Sequence, residues 1–312
     1  MSNVSPKRVL LFGASGTIGG AVLAQLLVAG HETTCITRSG FSGEGARIVQ
    51  ADITDRASIA QVLAETRFDA VISCIASRSG VPDDAWAIDY AANSAILKEA
   101  QAAGVGQFVL LSAICVQKPQ LAFQQAKLAF EAELQASGLT WSIIRPTAFF
   151  KSLSGQVARV AKGKPFLLFG NGELTRCKPI SDADLSRFIV SALDDPAKHN
   201  RILPIGGPGP AISPKEQGEM LFGILGKEPR YRSITPRLMD LAIAALSLAG
   251  RFSKRAAAKA EYARIGRYYA TESMLVWDTQ RQVYDADATP EFGEDTLEAH
   301  YSNLLALRRN QP

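Results

Sequence analysis

The feature that most constrains the fold is a glycine-rich turn near the N-terminus, set between an apolar strand and a helix. Arg8–Phe12 (RVLLF) is a short apolar run, and Ile18–Ala29 has helical periodicity that ends at Gly30. Between them lies GASGTIG, residues 13–19. Glycines at these points permit a tight turn, close approach of the backbone to a pyrophosphate, and close packing of helix on strand. The segment therefore predicts a dinucleotide-binding βα unit.

Strands and helices alternate through the rest of the first half. Further strands are predicted at Thr33–Thr37, Arg47–Ile53, Asp69–Ala76, Gln107–Ile114 and Thr140–Arg145, and helices at Asp55–Thr66, Asp84–Ala103 and Leu121–Ala136. Helices of this length between strands force right-handed crossovers and a parallel sheet. The predicted fold class is α/β, with a Rossmann-like doubly wound parallel sheet.

After Pro146 the pattern loosens. Short strands are predicted at Phe166–Phe169 and Ile202–Ile205, and helices at Asp182–Leu193, Ser213–Leu225 and Pro236–Tyr269. We find no internal repeat and no low-complexity segment. We therefore expect a dinucleotide-binding Rossmann domain over residues 1–150. Residues 151–312 are expected to form a smaller substrate-binding cap that partly completes the sheet.

Composition argues against several classes of function. The net charge of +4 is too small to indicate nucleic-acid binding. The four cysteines form no CxxC pair and the three histidines form no ligand cluster, so we expect neither a disulfide framework nor a metal site. No apolar run reaches the roughly 18–20 residues that a spanning helix needs. Met1–Lys7 leads almost at once into a strand, so we expect no signal or transit peptide and a cytoplasmic location.

The residues that end the second strand indicate which dinucleotide is bound. The GxxGxxG spacing is typical of short-chain dehydrogenases/reductases, rather than the GxGxxG of many other dehydrogenases. NAD-preferring sites place an acidic residue after this strand, whereas this chain has Thr37-Arg38-Ser39. A guanidinium at this point would pair with a 2′-phosphate. We therefore predict NADPH as the cofactor, the alternative being that Arg38 is an ordinary solvated side chain.

Other cofactor contacts are expected where strands end at the carboxyl edge of the sheet. Asp52 is placed to contact the adenine, and at Ala76 and Ser77 the backbone should pass close to the cofactor. The full predicted set is Gly13, Ser15, Gly16, Thr17, Ile18, Gly19, Arg38, Asp52, Ile53, Ala76, Ser77, Lys127, Pro146 and Thr147.

The predicted catalytic residues depart from the usual short-chain pattern. Alcohol dehydrogenases of this type carry a serine after the fifth strand and Tyr-x-x-x-Lys on the next helix. Ser112 and Lys127 fit, but Phe123 lies where the tyrosine is expected. Phenylalanine has no proton to donate, so ketone–alcohol interconversion is disfavoured. Two alternatives remain: reduction of a conjugated carbon–carbon double bond, or a non-catalytic NADPH-sensing protein of the NmrA-like kind.

Longer motifs resemble one family over nearly the whole chain. They lie at residues 110–119 (LLSAICVQKP), 123–127 (FQQAK), 144–152 (IRPTAFFKS), 177–181 (CKPIS), 203–209 (LPIGGPG), 266–270 (GRYYA), 273–275 (SML) and 295–298 (DTLE). Together they resemble the divinyl chlorophyllide 8-vinyl-reductase family, atypical members of the short-chain superfamily. They distinguish it from isoflavone-reductase-like relatives, which remain the alternative within the same class.

The resemblance implies an NADPH-dependent oxidoreductase that acts on a CH–CH group. Its members convert the 8-vinyl group of divinyl (proto)chlorophyllide to ethyl in (bacterio)chlorophyll biosynthesis. Hydride addition at the outer vinyl carbon leaves an anion that the macrocycle delocalises, so no tyrosine is required. Plant members carry a transit peptide, which we do not expect in this chain. The expectation is therefore a bacterial cytoplasmic form that contacts the photosynthetic membrane peripherally.

The implied substrate is a large flat magnesium tetrapyrrole with a carboxylate, which calls for an apolar pocket with a few polar groups. Predicted substrate contacts are Phe149, Phe150, Lys151, Tyr268 and Tyr269, with core packing as the alternative for the aromatic residues. Residues 227–267 contain ten Lys/Arg and three Asp/Glu. They would steer the carboxylate, touch an anionic membrane, or simply be solvated. Oligomeric state, hydride face and proton donor stay open.

Overall fold

A computed structural model describes residues 5–38 and 40–309, so Ser39 of the predicted cofactor turn lies outside the described residues. The main sheet has seven strands in the order β3-β2-β1-β4-β5-β6-β8. In chain order these are β1 (Arg8–Phe12), β2 (Glu32–Thr37), β3 (Arg47–Gln50), β4 (Ala70–Ser73), β5 (Gln107–Leu111), β6 (Thr140–Pro146) and β8 (Arg201–Ile205). The first six pair in parallel register. The predicted Rossmann-like doubly wound sheet is confirmed.

The central strands are buried along their length. β4 and β5 contain only buried residues, as expected for parallel strands covered on both faces. The associated helices are α1 (Thr17–Val28), α2 (Arg56–Glu65), α3 (Pro82–Ala85), α4 (Asn93–Ala102), α5 (Ala122–Gln135) and α8 (Asp182–Ser191). A π-helical segment, Trp86–Ala92, joins α3 to α4, and a 3₁₀ turn, Ile114–Gln117, follows β5. Phe12, Phe108 and Phe130 belong to one core cluster with Ile59 and Ile96, which holds helices against the sheet.

The order of strands reverses between β1 and β4, which are neighbours in the sheet although β2 and β3 separate them in sequence. Open α/β sheets bind ligands at such a switch point, outside the carboxyl ends of the strands. The glycine loop follows β1 directly, so the fold places this loop at the edge where a ligand is expected.

The chain forms two compact units. The first contains the described residues up to Pro146 together with Leu185–Leu203, and the second contains Thr147–Asp184 and the described residues from Pro204 onward. The predicted division into a cofactor-binding domain (1–150) and a substrate-binding cap (151–312) concerns ligands and stays a prediction. Residues 185–203 also belong to the first unit. The sequence pattern after Pro146 did not predict this.

The second unit has its own core, in which Phe150, Phe166, Leu221 and Tyr301 lie together. β7 pairs in parallel with β9, and β10 pairs antiparallel with β11. Its elements are α6 (Phe150–Leu153), α7 (Val157–Ala161), β7 (Phe166–Phe169), α9 (Pro214–Ile224), β9 (Tyr231–Ile234), α10 (Pro236–Gly250), α11 (Lys254–Thr271), β10 (Val276–Asp278), β11 (Val283–Asp285) and α12 (Leu297–Arg309).

The stretch Pro236–Tyr269, predicted to be helical, is helical except for a break at residues 251–253, which divides it into α10 and α11. Gly250 is part of the reason, since a Cβ there would lie 3.0 Å from Ala257 Cα. Ser253 supplies the other part: its side chain accepts a hydrogen bond from the N–H of Ala256 and caps α11. A tight turn between the two helices follows.

Within the described residues, no helix is long and apolar enough to cross a membrane. The four cysteines all lie in the described part of the chain and form no disulfide. Burial raises the pKa of the Cys35 thiol to about 11 and that of Cys74 to about 12. These two thiols are therefore protonated at neutral pH and unreactive as nucleophiles.

Candidate active site

The loop after β1 is packed so closely that two of its glycines have no space for a side chain. Gly13 has φ +87°, and a Cβ there would lie 2.8 Å from the carbonyl carbon of Cys74, in the loop after β4. A Cβ at Gly19 would lie 2.0 Å from Gly13 O. The two glycines thus permit close contact between two strand ends and between α1 and its loop. This is the cradle that a pyrophosphate needs.

The N-terminus of α1 opens directly from this loop. Its N-cap is Gly16, with extended backbone and no capping side chain, while Ser15 and Thr17 are exposed and Ile18 is buried. The first N–H groups of a helix have no partners within the helix and lie at the positive end of its dipole. The N-terminus of α1 is therefore suited to bind an anion, as the predicted contacts from Gly13 to Gly19 require.

The ends of β2 and β3 supply the next predicted positions. Arg38 is exposed, and its carbonyl accepts a hydrogen bond from Gln50 Nε2 at 3.2 Å. Asp52 Oδ1 accepts from the N–H of Thr54 at 2.9 Å and from its hydroxyl at 2.8 Å. These two bonds, and less so the charge of Arg38, hold the pKa of the Asp52 carboxyl below its usual value. Ile53 is buried beneath them.

A buried ion pair lies beyond the end of β4. Lys127 Nζ is 2.9 Å from Asp89 Oδ1, with side chains 11% and 0% exposed. The same oxygen lies 3.4 Å from the N–H of Ser77, which donates to it. Asp89 Oδ2 is also buried, and within the described structure it has no hydrogen-bond partner. Because Lys127 has three N–H donors and Asp89 takes one, the ammonium retains capacity for a ligand.

The π-helical turn explains how Asp89 comes to this position. Asn93, four residues later, donates through Nδ2 to the carbonyls of Asp89 (3.2 Å) and Ile88 (3.3 Å). Its Oδ1 accepts from the hydroxyl of Ser73, the last residue of β4, at 2.6 Å. The wide turn is therefore fastened to the end of a central strand. π-turns of this kind are frequent at functional sites.

Ser112, the predicted catalytic serine, follows β5 and is buried. Its hydroxyl donates to Glu131 of α5, and the same carboxylate pairs with Arg145 of β6. Arg145 Nε also donates to Glu131 Oε1 at 3.2 Å. Glu131 lies one turn after Lys127 on the same helix, so this cluster fixes α5 against the strand ends.

The first turn of α5 is fixed as well. The side chain of Gln124 accepts from the N–H groups of Gln120 (2.7 Å) and Leu121 (2.9 Å), and donates to Cys115 O at 3.0 Å. Phe123 is 9% exposed and lies four residues before Lys127, on the same helix face. The position that usually provides a tyrosine hydroxyl therefore provides only an apolar ring.

The remaining predicted residues, apart from Pro146, belong to the second unit. Thr147 is buried there and its hydroxyl donates to Lys178 O. Phe150 is 3% exposed and packs in the core of this unit. Tyr268 is equally buried, so for both residues the structure favours packing over the predicted substrate contact. The predicted residues of this unit with accessible side chains are Phe149, Lys151 and Tyr269.

Sequence reasoning did not identify Asp89, Asn93 or Glu131 as site residues. A signal was present: Asp89 and Asn93 are polar residues four apart within a helical segment, as are Lys127 and Glu131. The partners of these residues come from other elements, which the sequence pattern does not pair. The predicted residues Gly13 to Gly19, Ala76, Ser77, Ser112 and Lys127 all lie in the first unit.

Comparison with known proteins shows the family of the chain. A family model described as NAD(P)H-binding matches residues 13–196. The chain is 45% identical to the chloroplastic divinyl chlorophyllide a 8-vinyl-reductase of Oryza sativa subsp. indica, over 96% of this chain and 79% of that protein. The protein of the same name from Cucumis sativus is 44% identical, over 97% and 77%.

A solved structure, leucoanthocyanidin reductase from Vitis vinifera, superposes with a TM-score of 0.70 at 19% identity, covering 96% of this chain and 99% of that one. This likeness supports the fold. The family match supports binding of a nicotinamide dinucleotide, and the glycine loop after β1 opens the matched segment.

Replacing Gly19 by alanine tests the cradle. The new Cβ would overlap Gly13 O, so the loop must shift, and we expect dinucleotide affinity to fall at least about tenfold, equivalent to about 1.4 kcal/mol. Gly20→Ala is the matched control, since its Cβ would lie 3.3 Å from Ala14 O. Titration calorimetry with NADPH measures both. Equal affinities for the two variants would contradict the assignment.

Proposed function

Because this chain belongs to the divinyl chlorophyllide a 8-vinyl-reductase family, we propose that it reduces the 8-vinyl group of divinyl (proto)chlorophyllide to ethyl with NADPH. The observation that carries the proposal is the combination of Lys127, paired with Asp89 at the loop after β4, and Phe123, which lies where a hydroxyl acid is expected. A carbonyl reductase needs a donor for the developing alkoxide. A conjugated alkene does not, because the macrocycle carries the charge.

The residues of the first unit fit the cofactor. When bound, NADPH supplies the hydride. The loop Gly13–Gly19 would hold the pyrophosphate, and Arg38 would pair with the 2′-phosphate, for which its exposed guanidinium after β2 is suited. Asp52 and Ile53 would lie on the adenine side, and the backbone at Ala76 and Ser77 would pass close to the cofactor. The absence of an acidic side chain between Thr37 and Gly40 removes the usual partner of an NAD ribose.

Lys127 chiefly holds the nicotinamide ribose. The Asp89 carboxylate keeps the partly buried ammonium in place, and the remaining N–H donors of Lys127 would bind the ribose hydroxyls. Asp89 thus acts as a positioning residue. Ser112 is also a positioning residue in this proposal. Its hydroxyl donates to Glu131 and orients α5, and it does not protonate the substrate.

The second unit would bind the pigment. Phe149 and Tyr269 offer apolar surface, and Lys151 offers a cation for the substrate carboxylate. Pro146, the last residue of β6, would continue the cofactor-binding edge of the first unit. In this proposal Phe150 and Tyr268 support the binding residues from the core.

The test is direct. Purified protein is mixed with divinyl chlorophyllide a and NADPH, and the Soret band and the chromatographic retention of the pigment are followed. We expect a blue-shifted Soret band and a new monovinyl pigment, with NADPH and poorly with NADH. An unchanged pigment, under conditions in which NADPH binds, would contradict the proposed reaction and favour a sensor or a reductase of another alkene.

Arg38→Gln tests the choice of NADPH. Loss of hydrogen bonds to a charged group costs about 1.5–3 kcal/mol, so the KM for NADPH should rise about 10- to 150-fold while that for NADH is unchanged. Arg47→Gln, on β3, removes another exposed guanidinium, one that pairs with Glu65. It should leave both values unaltered. A uniform change with both cofactors would remove the assigned role of Arg38.

Asp89→Asn tests the positioning of Lys127. Without its charged partner the ammonium is less well held, and we expect kcat to fall about 10- to 100-fold with weaker NADPH binding. Lys127→Met should show the same pattern. Glu133→Gln, which removes a carboxylate of the same helix that pairs with Lys98, is the control. Thermal melts separate misfolding from the effect, and a folded Asp89→Asn variant with wild-type kcat would refute it.

A further inference from the structure

We infer that the outward face of α10 is a docking surface for a lipid bilayer that carries anionic headgroups. This inference is independent of the reaction proposed above. The docking face is defined by exposed apolar residues that lie on one side of the helix and its C-terminal turn: Leu238, Leu241, Ala242, Ala245, Leu248, Ala249 and Phe252. Four of them are large, with exposures of 60% for Leu238, 69% for Leu241, 60% for Leu248 and 90% for Phe252.

The opposite side of α10 is covered by α11. Arg267 Nε lies 2.8 Å from Asp240, and Arg264 donates to the hydroxyl of Ser247 at 2.7 Å. Ile243 and Leu246 are half-buried on that side. The polar side chains on this side of α10 therefore have partners on α11, and the docking face on the other side stays apolar along its length. α10 has no residue classed as buried. Contiguous apolar surface of this kind marks an interaction site.

The charges beside the docking face identify the partner. Residues 236–259 contain five Lys/Arg and a single acid, Asp240, which already pairs with Arg267. Arg251, Lys254 and Arg255 are exposed and flank the most exposed aromatic residue, Phe252, at the tip of the hairpin. Apolar and aromatic side chains bordered by lysine and arginine are the pattern of helices that lie in the headgroup region of anionic membranes.

Two other occupants fit less well. A second copy on a two-fold axis would join two faces whose borders carry the same excess of positive charge, without added acids. A transmembrane span is excluded by length, because α10 has 15 residues and spanning requires about 20. The helix is long enough to lie along a surface.

Vesicle flotation of the full chain tests the inference, with phosphatidylcholine alone or mixed with phosphatidylglycerol, without pigment or cofactor. We expect flotation with the anionic vesicles only, and release at high salt. Leu248→Ser combined with Phe252→Ser should abolish flotation. Replacing Arg251, Lys254 and Arg255 by glutamine should lower partitioning about 100-fold, from about a fivefold loss per residue. Val28→Ser and Leu307→Ser, at residues 80% and 63% exposed, are controls that should float normally.

Failure of the wild type to float, or normal flotation of the Leu248/Phe252 double variant, would overturn the inference. So would a dimer in light scattering that the double variant dissociates, because the face would then join two copies. Vinyl reduction is measured separately on detergent-dispersed pigment, where the double variant should match the wild type. If the protein floats but does not reduce the pigment, the proposed reaction is contradicted and the docking face is still supported.

Discussion

The carboxylate of Asp89 is the point on which the arrangement of the first unit depends. Its Oδ1 lies near the ammonium of Lys127 from α5 and the N–H of Ser77 from the loop after β4. Burying a carboxylate is costly unless a charged partner and hydrogen bonds compensate it. The ion pair therefore ties α5 to the ligand-binding edge of the sheet. Asn93 and Ser73 fix the turn that carries Asp89, so the position of Lys127 follows from β4 itself.

The absence of a hydroxyl at Phe123 then acquires a chemical meaning. The lysine that organises the ribose in short-chain reductases is present as Lys127 and is held by Asp89, as the proposed cofactor site requires. What is missing is the acid for an oxygen-centred product. An alkene conjugated to a large π-system is the class of substrate that tolerates this loss, since the charge spreads over carbon and nitrogen atoms of the ring rather than residing on one oxygen.

The parts that sequence predicted best are those governed by local rules. The turn at Gly13–Gly19 and the alternation of strands with helices follow from steric and periodic constraints within a few residues, and the parallel pairing of the strands follows from connection rules. Asp89 escaped because a π-turn shifts the phase of its helix, so the usual period does not indicate where it points. The break after Gly250 was not predicted, because the apolar run of α10 continues up to it. Ser253, which caps α11, was a signal for the new helix.

The contacts that the sequence did not predict join residues that are far apart in the chain. Several motifs of the second half that carry the family resemblance lie together within the second unit. Lys178 pairs with Glu291, Ser181 donates to Asp295, and a Cβ at Gly207 would lie 1.9 Å from Pro179 O. Their spacing in sequence gives no hint of this, because the contacts span up to 114 positions. These contacts join residues 178–181 to Gly207, Glu291 and Asp295 within the second unit.

The most direct measurement of the central claim is the fate of deuterium from NADPH labelled at both hydrogens of C4. The reaction is run with divinyl chlorophyllide a in ordinary water, and the product is analysed by deuterium NMR. The account predicts one deuterium in the methyl group of the new ethyl substituent, because hydride adds to the outer carbon and the ring holds the charge until protonation. Deuterium on the inner carbon, or on a carbon that bears a new hydroxyl group, would contradict it.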